Sequence, residues 1–351
     1  MESLRVIYQC LVLFVQLDYR PSSPEPLDTT SRRCAILELP NELLIAILDH
    51  LPQHSQMLVS QTCRRIQAVA HKNLPAQNYR PDTPEGRLLY LSRRARSLPD
   101  RWVCTECIKL HRINVSDTLA NSLYILCDSQ CRSGSEYHGH FGFRLFHRHL
   151  QLTLKYTRLN KMEPKYENYL KSLIAPYHTY LRPNDLDINK VKRKYSVYPK
   201  VVNGRYLLHT VWRYRIAKRP ISMQSMGYIS ICPHREDHSP TYTLGGFYAG
   251  RKSPDTQAAM NGVVTIDPRH GLHACIERAF RLLHTEVCSS CKYCTTDFSV
   301  RASRREIIVS VWQDFGGEDT AFSAEWSALV FKLRYAYYHY GSVRKLYDQG
   351  D

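Results

Sequence analysis

Cysteine spacing constrains this chain more than any other feature. Of the twelve cysteines among 351 residues, several stand two or three residues apart, and most of the others lie near a histidine. A secreted disulfide domain is normally much shorter and richer in cysteine, whereas close pairs in a long chain more often hold metal. The spacing therefore places the chain in a reducing compartment. Cys104-x2-Cys107 is followed, after nineteen intervening residues, by Cys127-x3-Cys131. A two-residue gap lets both thiolates of a tight turn face one ion, and two such knuckles complete a tetrahedron of sulfur near zinc-ribbon spacing. The first expected structural zinc set is thus Cys104, Cys107, Cys127 and Cys131. The wider second gap makes His111, His138 and His140 substitute ligands, and four reduced structural cysteines are the alternative.

A second group lies in the C-terminal third. "CPH" supplies Cys232 and His234, "HAC" supplies His273 and Cys275, and "CSSCKYC" supplies Cys288, Cys291 and Cys294. Two thiolates of a CxxCxxC run can feed one ion, with a distant Cys or His completing the shell. Spacing alone does not choose among them. The expected second set is Cys232, His234, Cys291 and Cys294, again with structural cysteines as the alternative.

A net charge of +16 attracts acidic partners, whether nucleic acid, acidic protein or anionic lipid, and says nothing about fold. The apolar run at residues 6–17, VIYQCLVLFVQL, is too short to span a bilayer. It is also a poor signal peptide, because Glu2 balances Arg5 and no small-x-small site follows. A packing strand or a misplaced start is the expectation there. Residues 20–33, RPSSPEPLDTTSRR, read as a flexible linker.

From Leu39 the pattern turns helical. Pro40 suits a first turn, and Glu42 sits at the positive end of the helix dipole. Leu43, Leu44, Ile47, Leu48 and Leu51 recur at helical spacing as one apolar stripe, and Pro52 stops it. Ser55 is positioned to cap a second helix, with Met57, Val59, Cys63, Ile66, Val69 and Ala70 on its buried side. A plain helical hairpin in a core would look the same. The run Leu39-Pro40-Asn41-Glu42-Leu43-Leu44, then Ile47, Leu51-Pro52 and Thr62-Cys63-Arg64-Arg65-Ile66, resembles an F-box over about residues 35–74. Ser55 stands where that family usually has an acid, and Gln56 and Gln61 stand at usually apolar positions. The resemblance implies a three-helix module that docks the SKP-type adaptor of cullin ubiquitin ligases. It implies adaptor-binding residues at Leu39, Pro40, Glu42, Leu43, Ile47, Leu51, Val59 and Cys63.

Downstream, Leu88, Leu89, Leu91, Ala95 and Leu98 predict a short helix with Arg93, Arg94 and Arg96 on its other face. Asn203-Gly204 is a hairpin signal. After it, Tyr206, Leu208, Thr210, Trp212, Tyr214 and Ile216 alternate with Arg205, Leu207, His209, Val211, Arg213 and Arg215, which predicts a strand. Residues 188–220 hold ten Lys or Arg and no acid. That strip is the expected contact for an acidic target, centred on Arg205, Arg213 and Arg215, with a solvated cationic face as the plainer alternative. The "RLLH" segment at Arg281 and the aromatic C-terminal run predict helices against the sheet.

The expected fold class is α+β. It comprises an extension and linker at 1–34, an all-α F-box at 35–80 and a helix plus zinc-ribbon-like segment at 84–144. A mixed α/β recognition domain with a mainly antiparallel sheet follows at 145–351. The sequence shows no P-loop, no GxGxxG after a strand, no GxSxG and no HExxH. A catalyst is therefore not expected. The order of F-box, Trp-x-Cys-x2-Cys knuckle, "NGRYLL" strand, CPH, CxxC and Trp-Gln-Asp-Phe-Gly-Gly resembles F-box proteins of the filamentous-fungal type. It implies a substrate-receptor subunit of an SCF-type ubiquitin ligase, with an unknown protein target, no membrane partner, and a place in the cytoplasm, the nucleus or both. The alternative is a zinc-stabilised basic protein that binds nucleic acid.

Overall fold

A computed structural model describes residues 35–73, 83–121, 136–138, 143–159, 162–181, 191–215, 226, 229–237, 263–265, 271–318, 323–331, 336 and 338–350. The apolar run at 6–17, the linker at 20–33, Cys127, Cys131, His140 and Ile216 lie outside these residues. The chain divides into two compact units, Met1–Tyr79 and Arg80–Asp351.

The first unit is three short helices, α1 (Asn41–Asp49), α2 (Gln53–Ser60) and α3 (Arg64–Asn73), led by a 3-10 turn at Ala35–Glu38. Pro40 and Pro52 stand at the N-cap positions of α1 and α2, so each proline ends one segment and opens the next. Ser55, expected to cap, lies inside α2 instead, because Pro52 already starts the helix. The long second helix expected after it breaks at residues 61–63. There the Cys63 thiol accepts from the Ile66 amide at 3.4 Å, as a capping side chain does. Leu44, Leu48, Leu51, Ile66, Val69 and Ala70 form the core.

The second unit is built on a seven-stranded sheet. Its strands are β5 (Tyr177–Leu181), β6 (Lys192–Val202), β7 (Arg205–Arg215), β10 (Val263–Thr265), β11 (Glu286–Ser290), β12 (Thr296–Ala302) and β13 (Glu306–Asp314). They run in the order β10-β11-β12-β13-β7-β6-β5. All neighbours are antiparallel except β10 and β11. Asn203 and Gly204 take positive φ of 50° and 71°, the geometry of a two-residue hairpin turn, and join β6 to β7 over eleven residues each. The alternating set Tyr206, Leu208, Thr210, Trp212 and Tyr214 faces inward and is buried. Helices α5 (His147–Arg158) and α7 (Gly271–Arg281) cover that face through Leu150, Leu154, Leu272, Cys275 and Ile276.

The segment after residue 84 lies within this unit, Arg80–Asp351. Helix α4 (Pro84–Ala95) is capped by Thr83, whose hydroxyl accepts from the Gly86 amide at 3.0 Å. Strands β1 (Arg101–Cys104) and β2 (Lys109–Arg112) follow, β1 against both α4 and α5 and β2 against α4. Gln151 mimics a neighbouring strand, accepting from the Val103 amide at 3.1 Å and donating to its carbonyl at 3.0 Å. Trp102 and Cys104 share a core with Leu152 and Tyr156 of α5, and with Tyr166, Tyr169 and Leu173 of α6 (Pro164–Leu173). Short pairs β3 (Glu136–His138) with β4 (Arg144–Phe146), and β8 (Ile229–Cys232) with β9 (Arg235–Asp237), complete the strands, and α8 (Ala324–Phe331) adds buried Trp326.

The outer face of the sheet is part-covered by α9 (Ser342–Asp348). Its anchor is Asp297, a buried carboxylate that accepts from the amides of Gly341 at 3.0 Å, Val343 at 2.9 Å and Arg344 at 3.0 Å. Asp297→Ala removes the cap and leaves those amides without it. Urea unfolding should report a loss of about 2 kcal/mol.

Candidate docking face and metal centres

In the first unit, α1 does not present one stripe but two. Leu44, Leu48 and Leu51 point into the unit's own core, while Pro40, Glu42 and Leu43 are exposed, Leu43 at 51 %. Leu39, Ile47, Val59 and Cys63 are half-buried. Leu51, expected at the adaptor surface, lies in the unit's core. The Leu39-Pro40 corner is fixed from behind. The Arg65 guanidinium donates to the carbonyls of Leu37 and Leu39, the latter at 2.7 Å, and the Pro40 carbonyl opens α1 by accepting from Leu43 and Leu44 at 3.1 Å each. Gln56 departs from an apolar position, but its amide donates to the Leu51 carbonyl at 2.9 Å and so closes the α1–α2 corner. The result is an apolar residue, Leu43, held out on a rigid corner beside a carboxylate. Burying such a side chain against a partner is worth roughly 1.5–3 kcal/mol.

Among the described residues of the second unit, two groups have their donor atoms gathered. The first is Cys104, Cys107 and His111, with ligand atoms all within 4.8 Å of one another. They surround the β1–β2 turn, where Ile108 takes a φ of 51° and its amide donates to the Cys104 carbonyl at 3.1 Å. Cys107 Sγ and His111 Nε2 are 2.9 Å apart, and the His111 ring packs 5.0 Å from that of Trp102. So the knuckle pair is joined by His111, one of the substitutes the sequence offered. Cys127 and Cys131 lie outside the described residues.

The second group is Cys232, His234, Cys291 and Cys294, again within 4.8 Å. Cys232 ends β8, His234 sits in the β8–β9 turn, and Cys291 and Cys294 flank the β11–β12 turn. The turn is tight because the Cys291 amide donates to the Thr296 carbonyl at 2.8 Å and the Thr296 amide to the Cys294 carbonyl at 2.7 Å. All three thiols are buried, at 2 %, 0 % and 0 % exposure.

The donor set fits a soft or borderline divalent ion on three observations. Tetrahedral Zn–S bonds of about 2.3 Å put neighbouring sulfurs about 3.8 Å apart, inside the observed spread. Both His234 ring nitrogens are buried and, apart from the neighbouring sulfurs, neither hydrogen-bonds; burying them so is costly without a ligand. The Tyr293 amide donates to Cys291 Sγ at 3.4 Å, a contact that favours a thiolate. Burial pushes Cys232 and Cys294 well above the usual thiol range, whereas donation from those two thiols holds Cys291 well below it. These Cys and His groups could hold metal.

The other candidate donors are placed elsewhere. Cys275 lies in α7 as a core residue, with Leu272, Ile276 and Ala279 at helical spacing. His273 lies in the same helix, 3.8 Å from Glu277. Cys288 lies on β11, 3.4 Å from the Arg344 guanidinium. A helical reading of "GLHACIERAF" separates Cys275 from the ligands; no sequence signal marks Asp297 as the α9 anchor.

Residues 36–74 match the family described as F-box-like. No curated protein and no solved structure matches the chain. Among the described residues, no helix is long and apolar enough to cross a membrane.

Proposed function

We propose that this F-box domain-containing protein is the substrate-receptor subunit of an SCF-type ubiquitin ligase, with the first unit docking an SKP-type adaptor and the second unit taking a protein target. The observation that carries the reading is the F-box-like match at 36–74 on a three-helix unit whose Leu43 stands 51 % exposed. A small helical unit buries little of its own surface, and an exposed Leu-Pro corner gains from an apolar groove. On this reading the chain is not itself a catalyst: the ligase chemistry belongs to other subunits, and this chain brings the target to them. It works where adaptor and cullin meet, in the cytoplasm, the nucleus or both.

Zinc is the proposed resident ion. Cys232, His234, Cys291 and Cys294 supply four protein donors, which closes the shell and makes the site structural. It would clasp the β8–β9 hairpin to the β11–β12 turn, beside the bond by which the Gln313 side-chain amide of β13 donates to the Ile231 carbonyl at 3.0 Å. Cys104, Cys107 and His111 supply three corners of a further site.

Affinity capture of the full chain from cells tests the receptor role. Wild type should bring down adaptor and cullin together, and Leu39→Ala with Pro40→Ala should bring down neither while keeping the helical signal. A double variant that retains adaptor at the wild-type level would end the reading.

A further inference from the structure

The outer face of the large sheet is divided. One end is covered by α9: the Tyr347 hydroxyl donates to the Tyr198 carbonyl at 3.1 Å, the Tyr347 ring packs 5.4 Å from His209, and the Arg344 guanidinium lies 4.6 Å over Trp312. The strand register carries the same face on beyond the helix. One cross-strand row is Tyr180, Lys194, Arg213, Ile308 and Arg301, and the next contains Lys192, Arg215 and Glu306. The first row continues past Arg301 to Glu286 of β11, so among the described residues of these two rows five cations stand against two carboxylates: Glu306, which Arg213 and Arg215 share, and Glu286, which also pairs with Arg344 of α9. Lys192 and Arg301 are exposed. Lys194 leans toward the sheet edge, its ammonium 5.5 Å from the Tyr180 ring, and Tyr180 itself is 73 % exposed. Among the described residues the sheet ends there, at β5.

This surface corrects the strip expected from sequence. Arg205 drops out, because its guanidinium is committed to Asp314 and Glu325, each at 2.7 Å. Arg301 enters from β12, about a hundred residues further along the chain. The patch is assembled by strand pairing and is invisible as a run.

We propose that this half-face, left open by the described residues, binds an extended acidic protein segment, and, resting on the receptor reading above, that the segment belongs to the target. Charge selects the acid: Lys192 and Lys194 face no carboxylate across the strands, and the excess of cations on this face raises the encounter rate with a polyanionic chain and penalises a basic one. Geometry selects an extended protein strand. Backbone groups at the β5 edge offer ladder bonds to an added strand, and alternate side chains of that strand fall over Tyr180 and Lys194. A single-stranded nucleic acid needs successive stacking platforms, and Tyr180 is the one large aromatic ring strongly exposed on this half-face among the described residues.

The test uses full chain and three labelled probes followed by fluorescence anisotropy: a peptide alternating glutamate with threonine, its lysine–threonine counterpart, and oligouridine. The acidic peptide should bind, more weakly as salt rises, and the other two should not. Lys192→Glu and Lys194→Glu together should weaken that binding roughly tenfold or more. The corresponding Gln variants should give an intermediate loss, and the thermal unfolding curve should be unchanged for both sets. Adaptor capture, measured on the same preparations, should not move. Absence of acidic-peptide binding by wild type, equal binding by the charge-reversed chain, or preference for oligouridine would each overturn the proposal. Loss of adaptor capture with peptide binding intact would instead remove the receptor reading and leave the binding face standing.

Discussion

Cys291→Ser should leave purification with one zinc equivalent fewer than wild type, and its second unit should unfold at markedly lower temperature. The reason is linkage. An ion that binds the folded chain alone stabilises it by RT ln(1 + [L]/Kd), about 4 kcal/mol when the free ion stands a thousandfold above Kd. That is a large share of the roughly 5–15 kcal/mol that holds a typical domain. Serine keeps the volume but is a poor zinc ligand, so the buried His234 nitrogens and the Cys232 and Cys294 thiols would be left together without their ion. Cys294→Ser and Cys232→Ser should behave alike, and Cys275→Ser, a core thiol outside the set, should keep the metal. Elemental analysis and thermal unfolding of the four variants decide it. Equal zinc content in wild type and Cys291→Ser would remove the site.

A second large effect is expected in acid. His147 and His149 are buried on α5, at 5 % and 0 % exposure. Burial lowers His147 to about 3, and burial lowers His149 as well, against the attraction of Asp117. The unfolded chain would take up both protons near the ordinary value of 6.5, while the folded chain refuses them. Stability is therefore full above pH 6.5 and is lost as pH falls toward the folded values. The proton withheld by His147 alone gives a slope of about 1.4 kcal/mol per pH unit below pH 6, and the lowering of His149 adds to it. Asp117 does not explain such a loss. Burial raises its carboxyl, but the hydrogen bonds from His149 and Arg148 outweigh that and bring it to about 2, so its contribution is present above the ordinary 3.8 and fades only below it. Urea unfolding at pH 7, 6 and 5 should show the decline, and His147→Gln should make it shallower. Stability that stays flat from pH 7 to pH 5 would contradict the assignment of neutral buried histidines.

How much of this was legible in the sequence depends on the range of the interaction. Asn203-Gly204 and the alternation after it are local signals, and the hairpin follows them residue for residue over Arg205–Arg215. The cysteine turns are also local, so Cys104 with Cys107 and Cys291 with Cys294 are recognisable as pairs. Which distant donor joins each pair is decided by topology: β8 and β9 must be laid against the β11–β12 turn before Cys232 and His234 arrive. The docking helix was legible as amphipathic, but its stripe mixed two faces, because Leu43 precedes Leu44 by one position and a helix turns about 100° per residue. The basic strip was misjudged at Arg205 for the same reason of range, since Asp314 and Glu325 lie more than a hundred residues away.

The central claim is that the exposed Pro40-Leu43 corner, backed by Leu39 packed on the core, is a docking surface. Its most direct test is calorimetric titration of the purified full chain with purified SKP-type adaptor. Wild type should form a one-to-one complex, and Leu43→Asp, a change at an exposed position, should show no measurable binding while its circular dichroism stays unchanged. A wild-type chain that gives no heat with the adaptor, or a Leu43→Asp chain that binds as tightly as wild type, would contradict the account.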